Sequence, residues 1–215
     1  MNYYLYISLI LCIYIPGIIA LIRFRKIDKI YYPFIFCLWV GCINEVLSII
    51  LALNGYQNLT NGNIYVLVES FLLTWFFKEI GLFKKPRIFT FFIALYIFVW
   101  ITENFILKSI FENSTYFRIF YSFLIVFMSI NILNELVFSN KTNLLKNPIF
   151  IICISFIIYF TYKVLIQAFV IYGVNSNSSF LLNIYVIMVY VNFGINLLFS
   201  LALLWIPKKV KFIQR

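Results

Sequence analysis

A single lysine, Lys163, lies in the middle of the apolar stretch IYFTYKVLIQAF at residues 158–169. An ammonium group near the centre of a membrane-spanning helix costs about 2.5–3.5 kcal/mol on insertion scales unless it is paired or hydrated. Ser155, Tyr159, Lys163 and Gln167 follow one another at intervals of four residues, so a helix presents all four on one face. We therefore expect Lys163 to face other protein groups and to have an acidic partner.

Three glutamates are candidates for that partner: Glu45 in CINEVLS, Glu69 in YVLVESF and Glu103 in WITENF. One ammonium cannot neutralise three carboxylates. The surplus carboxyl groups are expected to be protonated, solvated, or bound to a cation or a cationic ligand. The sequence thus predicts a ligand or ion network that comprises Lys163, Glu45, Glu69, Glu103, Asn44, Gln167 and Tyr159. The alternative is that these groups only fix the packing and register of the helices.

Seven apolar runs position these residues. Each is close to the length of roughly 17–25 residues that crosses a bilayer as a helix. They cover residues 3–22, 30–53, 64–83, 88–107, 119–138, 148–173 and 180–206. Continuous rather than alternating runs favour helices over a barrel. Because only 11% of the residues are charged, against about 25% in soluble domains, we expect one all-α integral membrane domain over residues 1–215, a bundle of seven transmembrane helices.

The distribution of Lys and Arg predicts the orientation. With the N-terminus outside, the cytoplasmic segments hold all but three of the 17 cationic residues, as cytoplasmic loops usually do. The exceptions are Lys108, Arg118 and Lys163. We therefore expect a bacterial inner-membrane protein with its C-terminus in the cytoplasm. Its formal charge of +10 points to anionic inner-leaflet lipids rather than nucleic acid. The residues expected to contact those lipids are Arg23, Arg25, Lys84, Lys85, Lys208 and Lys209.

Several absences narrow the chemistry. The chain has no histidine, which excludes a zinc hydrolase built on histidine ligands. The last run has no lysine for a retinal Schiff base, and no phosphate-binding loop, nucleophile elbow or kinase signature occurs. The four cysteines lie within the apolar runs and are expected to be inert thiols. We therefore predict no catalytic residues and no cofactor, and an enzyme is the least supported class.

Three stretches carry a resemblance to a known group: NEVLSIILALNGYQNLTNGNIYVLVESFLLTWFF, NPIFIICISFIIYFTY and NIYVIMVYVNFGINLLFSLALLW. They are similar to uncharacterised seven-helix membrane proteins from Bacteroidota, whose relatives occur as membrane sensor parts of signalling proteins. Glu45 and Glu69 belong to the similar stretches. The resemblance implies a sensor-like membrane domain and brings no established activity with it.

The leading hypothesis is therefore binding or sensing. An outward-facing polar pocket between the second, third and sixth runs, with contributions from the fourth and seventh, would take a small molecule or a cation, and a membrane or cytoplasmic partner protein would receive the signal. The first alternative is a small proton- or cation-coupled transporter or channel. The second is an accessory or regulatory subunit of a larger membrane complex.

Overall fold

The structure, a computed structural model, describes residues 9, 11–139, 144–171 and 178–207. All regular secondary structure in these residues is helical. The seven main helices are α1 (Tyr14–Arg23), α2 (Tyr32–Leu53), α3 (Leu59–Glu79), α4 (Pro86–Ile101), α5 (Thr115–Ser139), α6 (Pro148–Ile171) and α7 (Ser178–Trp205). The predicted all-α class and the seven helices are confirmed for this part of the chain.

Five segments in the described ranges are long and apolar enough to cross a membrane. They are Lys29–Leu53, Pro86–Leu107, Thr115–Phe138, Pro148–Ile171 and Val186–Trp205. α1 has ten residues and follows a 3₁₀ turn at Leu11–Ile13, while the earlier part of the predicted run 3–22, apart from residue 9, lies outside the described residues. α3 has 21 residues, but Asn61, Asn63 and Glu69 make it less apolar than the others. The two helices that fall short are thus one that is incompletely described and one that carries the polar residues of the interior.

Proline marks the start of three helices, as the sequence predicts. Pro33 occupies the first turn of α2, while Pro86 and Pro148 begin α4 and α6. The first backbone N–H groups of a helix have no partner within the helix, so a residue that lacks this group fits there. At its other end α4 continues into a π-helical turn, Thr102–Leu107, which extends the helical segment to the predicted end of the fourth run.

Six helices form a ring. Along the ring α1 contacts α2, α2 contacts α3, α3 contacts α5, α5 contacts α6, α6 contacts α7, and α7 closes the ring against α1. α4 packs outside the ring against α3 and α5. α3 and α6 are therefore separated along the ring but meet across its interior, where the polar residues of both helices lie.

An aromatic cluster fills one end of this interior. The ring centroids of Phe34 (α2), Phe156 (α6) and Phe199 (α7) are 5.1–6.1 Å apart, in edge-on arrangements. Phe76 of α3 joins them, with its centroid 5.8 Å from that of Phe34. Such tilted contacts stabilise aromatic pairs beyond the burial of their area. The four rings tie four helices together near the N-terminus of α2 and the C-terminal ends of α3 and α7.

Arg23 holds the C-terminal end of α7. Its guanidinium donates to the carbonyl groups of Leu203 (2.6 Å), Leu204 and Ile206 (2.8 Å). The last carbonyls of a helix have no intrahelical donor, and a cation beside them is favourable. Arg23, which the sequence assigned to lipid headgroups, therefore has acceptors within the protein.

Of the other residues expected to contact lipid headgroups, three are described by the structure and two are not. Arg25, Lys84 and Lys85 are exposed and carry no protein acceptor among the described residues, so their contact with lipid stays a prediction. Lys208 and Lys209 lie outside the described residues.

α1 and α2 approach closely at two glycines. Trp39 Nε1 donates to the carbonyl of Gly17 at 3.2 Å, and a Cβ added to Gly17 would lie 2.9 Å from Cys42 Sγ. A Cβ added to Gly41 would lie 2.7 Å from Ile13 Cδ1. Small residues that allow this kind of backbone approach are common at contacts between membrane helices. The contact fixes α1 against α2 beside the interior of the ring.

Replacement of Gly17 by alanine is expected to lower the free energy of unfolding by about 1–3 kcal/mol, the usual cost of overpacking. Thermal unfolding of the purified protein in a fixed detergent measures this. Gly194→Ala is the control, because an added Cβ there has no neighbour within 4 Å and alanine favours a helix interior by about 1 kcal/mol. A Gly17→Ala protein that melts no earlier than wild type would contradict the close contact.

Candidate functional site

Lys163 and Glu69 form an ion pair inside the ring. Lys163 Nζ lies 3.1 Å from Glu69 Oε2, and the two side chains are only 9% and 7% exposed. Tyr121 of α5 joins the pair: its hydroxyl donates to Glu69 Oε2 at 2.5 Å and accepts a hydrogen bond from Lys163 Nζ. Tyr65 donates to the other carboxylate oxygen at 3.0 Å. A buried ion pair needs such additional hydrogen bonds to offset its desolvation, and this pair has them on both sides.

Aromatic rings surround the ammonium group. Lys163 Nζ lies 5.0 Å from the ring centroid of Tyr121, 5.4 Å from that of Tyr159 and 5.3 Å from that of Phe160. Ring faces within about 6 Å attract a cation electrostatically. The charge is therefore stabilised by the Glu69 carboxylate, the Tyr121 hydroxyl and the rings of Tyr159 and Phe160, which accounts for its place in an apolar helix.

The polar face predicted on α6 is confirmed. Ser155, Lys163 and Gln167 are all buried, and Tyr159 lies in the same row beside Lys163. Their roles differ, however. Ser155 Oγ donates to the carbonyl of Ile151 in its own helix at 2.8 Å. Gln167 Oε1 accepts from the side chain of Asn113 at 3.2 Å. Only Lys163 and Tyr159 belong to the charged centre.

Glu103 lies apart from Lys163 and caps α5. Its Oε1 accepts from the backbone N–H of Tyr116 at 2.9 Å, and its Oε2 accepts from that of Phe117 at 2.5 Å. Lys108 Nζ is 3.8 Å from Oε1. The predicted place of Glu103 in the Lys163 network is therefore wrong. The π-helical turn after α4 carries this carboxylate, which satisfies the free N–H groups at the start of α5, where a negative charge is favourable.

Asn63 connects α3 to the α4–α5 loop. Its Nδ2 donates to the carbonyls of Ile110 (3.0 Å) and Glu112 (2.6 Å). Its Oδ1 accepts from the backbone N–H of Ser114 (3.2 Å) and from Arg118 Nη2 (3.3 Å). All the hydrogen-bonding atoms of this buried amide are thus used to hold the loop on the bundle.

Glu45 and Asn44 also remain outside the ion pair. Glu45 is half-buried, and its carboxylate makes no hydrogen bond or ion pair with the described residues. It lies within electrostatic range of Tyr159 and Cys12. Asn44 Oδ1 accepts from Asn61 Nδ2 at 3.0 Å and so joins α2 to α3. Of the three candidate partners that the sequence offered for Lys163, the structure therefore selects Glu69.

Arg118 is a charged neighbour of the pair that the sequence reasoning placed in an outer loop. It lies within electrostatic range of Lys163, Tyr121 and Tyr159. Its Nε is buried and has no hydrogen-bond partner among the described residues. One signal was present in the sequence, because Arg118 precedes Tyr121 and Ser122 by one helical turn. Tyr65, which was also missed, precedes Glu69 by four residues.

A cavity of about 60 Å³ lies beside the ion pair. Residues of α2, α3, α6 and α7 line it together with Ile13, which immediately precedes α1. Its polar lining consists of Tyr65, Glu69, Tyr159, Asn192 and Asn196. Its walls are apolar and include the aromatic cluster of Phe34, Phe156 and Phe199. A mostly apolar lining with few polar groups matches the usual lining of a small-molecule site.

The amides of α7 partly serve packing. Asn196 Nδ2 donates to Cys12 Sγ at 3.2 Å and to the carbonyl of Asn192 at 2.9 Å. Ser200 Oγ donates to the carbonyl of Asn196 at 2.8 Å. Asn192 is different, because its own Nδ2 has no acceptor within the described chain. Asn192 therefore lines the cavity with a free donor.

Comparison of the chain with family models, curated proteins and solved structures finds no match. The resemblance to seven-helix membrane proteins of Bacteroidota therefore stays a prediction, and the site must be interpreted from its own geometry.

Lys163→Met and Glu69→Gln each leave one buried charge unpaired. Each is therefore expected to lower the free energy of unfolding by about 3–5 kcal/mol. The double variant Glu69→Gln/Lys163→Met is expected to lose less than the sum, because it buries no charge. Equilibrium unfolding in mixed micelles measures all three. Glu79→Gln, an exposed site on the same helix, is the control and is expected to match wild type. Additive losses in the double variant would contradict a coupled pair.

Proposed function

We propose that this chain is a multi-pass protein of the bacterial inner membrane, with its N-terminus outside and its C-terminus in the cytoplasm. It binds a small ligand in an outward-facing pocket within the membrane and passes the binding signal to a partner protein. The observation that carries the proposal is the cavity of about 60 Å³ between helices of the ring, which reaches the buried Glu69 of the ion pair.

Two features support an outward-facing pocket. The aromatic cluster of Phe34, Phe76, Phe156 and Phe199 lies between the cavity and the end of the bundle that holds most cations. Arg23 joins the loop after α1 to the C-terminal end of α7, so two cationic segments share that end. Cation-rich segments face the cytoplasm. The cavity is thus closed on the cytoplasmic side by packed rings.

The same cluster favours binding over transport. A carrier must open its site to each side in turn, and four interlocked rings stand in the way. The hydroxyls of α3 beyond Glu69 supply no polar path either. Ser70 Oγ donates to the carbonyl of Leu67 at 2.7 Å, and Thr74 Oγ1 donates to that of Ser70 at 2.8 Å. A bound ligand is therefore expected to be detected rather than moved.

α7 offers a route for the signal. Its middle lines the cavity through Asn192, Ile195 and Asn196, and its cytoplasmic end is held by Arg23. A ligand wedged against the middle of a rigid helix displaces the end as well. A cytoplasmic partner would respond to the position of this end of α7, which the contact with Arg23 sets.

The proposed orientation predicts the accessibility of introduced cysteines. In a variant without the native cysteines, Ser109→Cys in the α4–α5 loop is expected to react with a membrane-impermeant maleimide on intact cells. Lys84→Cys in the α3–α4 loop is expected to react only after permeabilisation. Both positions are exposed, so exposure within the fold does not bias the comparison. The reverse pattern would invert the topology and overturn the outward-facing pocket.

Ligand binding is predicted to raise the thermal unfolding temperature of the protein in lipid nanodiscs. We expect a saturable rise with at least one compound from a panel of small alcohols, amides, amines and carboxylic acids, since binding to the native state stabilises it. Ile195→Trp fills the cavity and should abolish the rise. Leu197→Trp, which is 43% exposed toward the lipid, should retain it. Flux of the same compound into proteoliposomes that Glu69→Gln abolishes would favour a transporter instead.

A further inference from the structure

We infer that the cavity takes an electrically neutral, largely apolar ligand that carries a hydrogen-bonding group such as a hydroxyl or an amide. This inference rests on the proposed function and specifies the ligand class of the same pocket. It departs from the cation or cationic ligand that the excess of glutamates in the sequence suggested.

The ion pair leaves no net charge for a ligand to neutralise. Glu69 is the only charged residue among the described residues that line the cavity. Its carboxylate already accepts from Lys163, Tyr121 and Tyr65. A cationic ligand would have to share that carboxylate with an ammonium 3.1 Å away, and an anionic ligand would face it directly. Either charge would be desolvated without a counter-charge, which is costly in an apolar interior.

The two nearby charges outside the cavity do not change this balance. Arg118 and Glu45 both lie within electrostatic range of Tyr159, and they have opposite signs. Neither lines the cavity in the described part of the chain. Their contributions to the electrostatic potential beside Tyr159 therefore have opposite signs.

The polar groups that remain available suit a neutral ligand. The Tyr159 hydroxyl makes no hydrogen bond with the described residues, and neither does Asn192 Nδ2, yet both residues line the cavity. Together they present one hydroxyl that can donate or accept and one amide donor. A hydroxyl or amide on the ligand can pair with both groups.

The walls require the rest of the ligand to be apolar. The rings of Phe34, Phe156 and Phe199 form one wall, and Leu38 and Ile195 contribute aliphatic surface. A volume of about 60 Å³ is below the roughly 300–1,000 Å³ of pockets that hold drug-sized ligands, so the ligand must be small. A short branched chain with one polar end fits this description.

Three probes that share a branched four-carbon body test the charge preference. They are isobutanol, which is neutral, isobutylammonium and isobutyrate. Binding to the protein in nanodiscs is measured by equilibrium dialysis, with empty nanodiscs to subtract partition into lipid. We expect saturable binding of the alcohol that is tighter than that of either charged probe by about tenfold or more. Ile195→Trp should remove the saturable part and Leu197→Trp should keep it.

The hydrogen bonds are tested by substitutions that add no bulk. Tyr159→Phe keeps the ring beside Lys163, and Asn192→Leu removes only the amide. Each is expected to weaken binding of the alcohol by about two- to tenfold, the effect of one hydrogen bond. Unchanged affinity in both variants would overturn the assignment of these groups.

The outcomes separate the two proposals. Tighter saturable binding of the ammonium or the carboxylate probe would overturn the neutral ligand and leave the pocket as a binding site. Absence of saturable binding by all three probes, in protein that unfolds at the wild-type temperature, would overturn both the ligand class and the proposed function.

Discussion

The pairing of one buried ammonium with one buried carboxylate is the constraint on which the rest of the bundle depends. Lys163 and Glu69 come from α6 and α3, which are not neighbours in the ring, so their contact fixes both the rotation and the relative height of these helices. Tyr121 of α5 and Tyr65 of α3 satisfy the remaining hydrogen bonds. Such a pair contributes little to stability compared with packed apolar side chains, but the loss of one partner is costly. We therefore infer that the ion pair mainly makes one packing arrangement of the helices lower in free energy than the alternatives, in which one of the two charges would be buried without its partner.

The interior is layered along the axis of the bundle because polar and apolar groups tolerate different surroundings. At one end Asn63 and Glu103 hold the α4–α5 loop and the start of α5, where backbone groups without helical partners need acceptors and donors. In the middle the ion pair adjoins the cavity. At the other end four phenylalanine rings interlock without polar atoms. A cavity survives in the middle layer because Glu69 and Lys163 must keep their geometry, so neighbouring side chains cannot collapse around them as freely as around apolar groups.

The sequence predicts much of this arrangement, and its failures have physical causes. Hydropathy and the three prolines near helix starts predict the helices. The four-residue spacing of polar residues on α6 predicts which face of that helix is buried. Distance along a helix predicts the height of a residue but not its rotation, so Glu45 and Glu69 could not be told apart. Counting Arg23 and Arg118 as loop cations assumed that terminal charges face water or lipid headgroups, whereas both reach back to acceptors on other helices. Tyr65 and Tyr121 could not be singled out among 16 tyrosines. The neighbouring sequence does not show whether a tyrosine hydroxyl bonds to a charged group or its ring only packs.

α1 and α7 form the part of the ring in which a ligand could have the widest effect. They are joined beside the cavity by Asn196 and Cys12, and at the opposite end by Arg23 and the last carbonyls of α7. Because these contacts join the two segments near the cavity and again at the end of α7, the segments move together more easily than either moves alone. A ligand shifts such an equilibrium only if it contacts the two states differently. In the proposed binding function the cavity provides that difference through Ile13, which precedes α1, and through Asn192, Ile195 and Asn196 of α7. The aromatic cluster ties α7 to α2 and α6 through Phe199, so a ligand that fills the cavity would act on the part of α7 that lies beside the cavity.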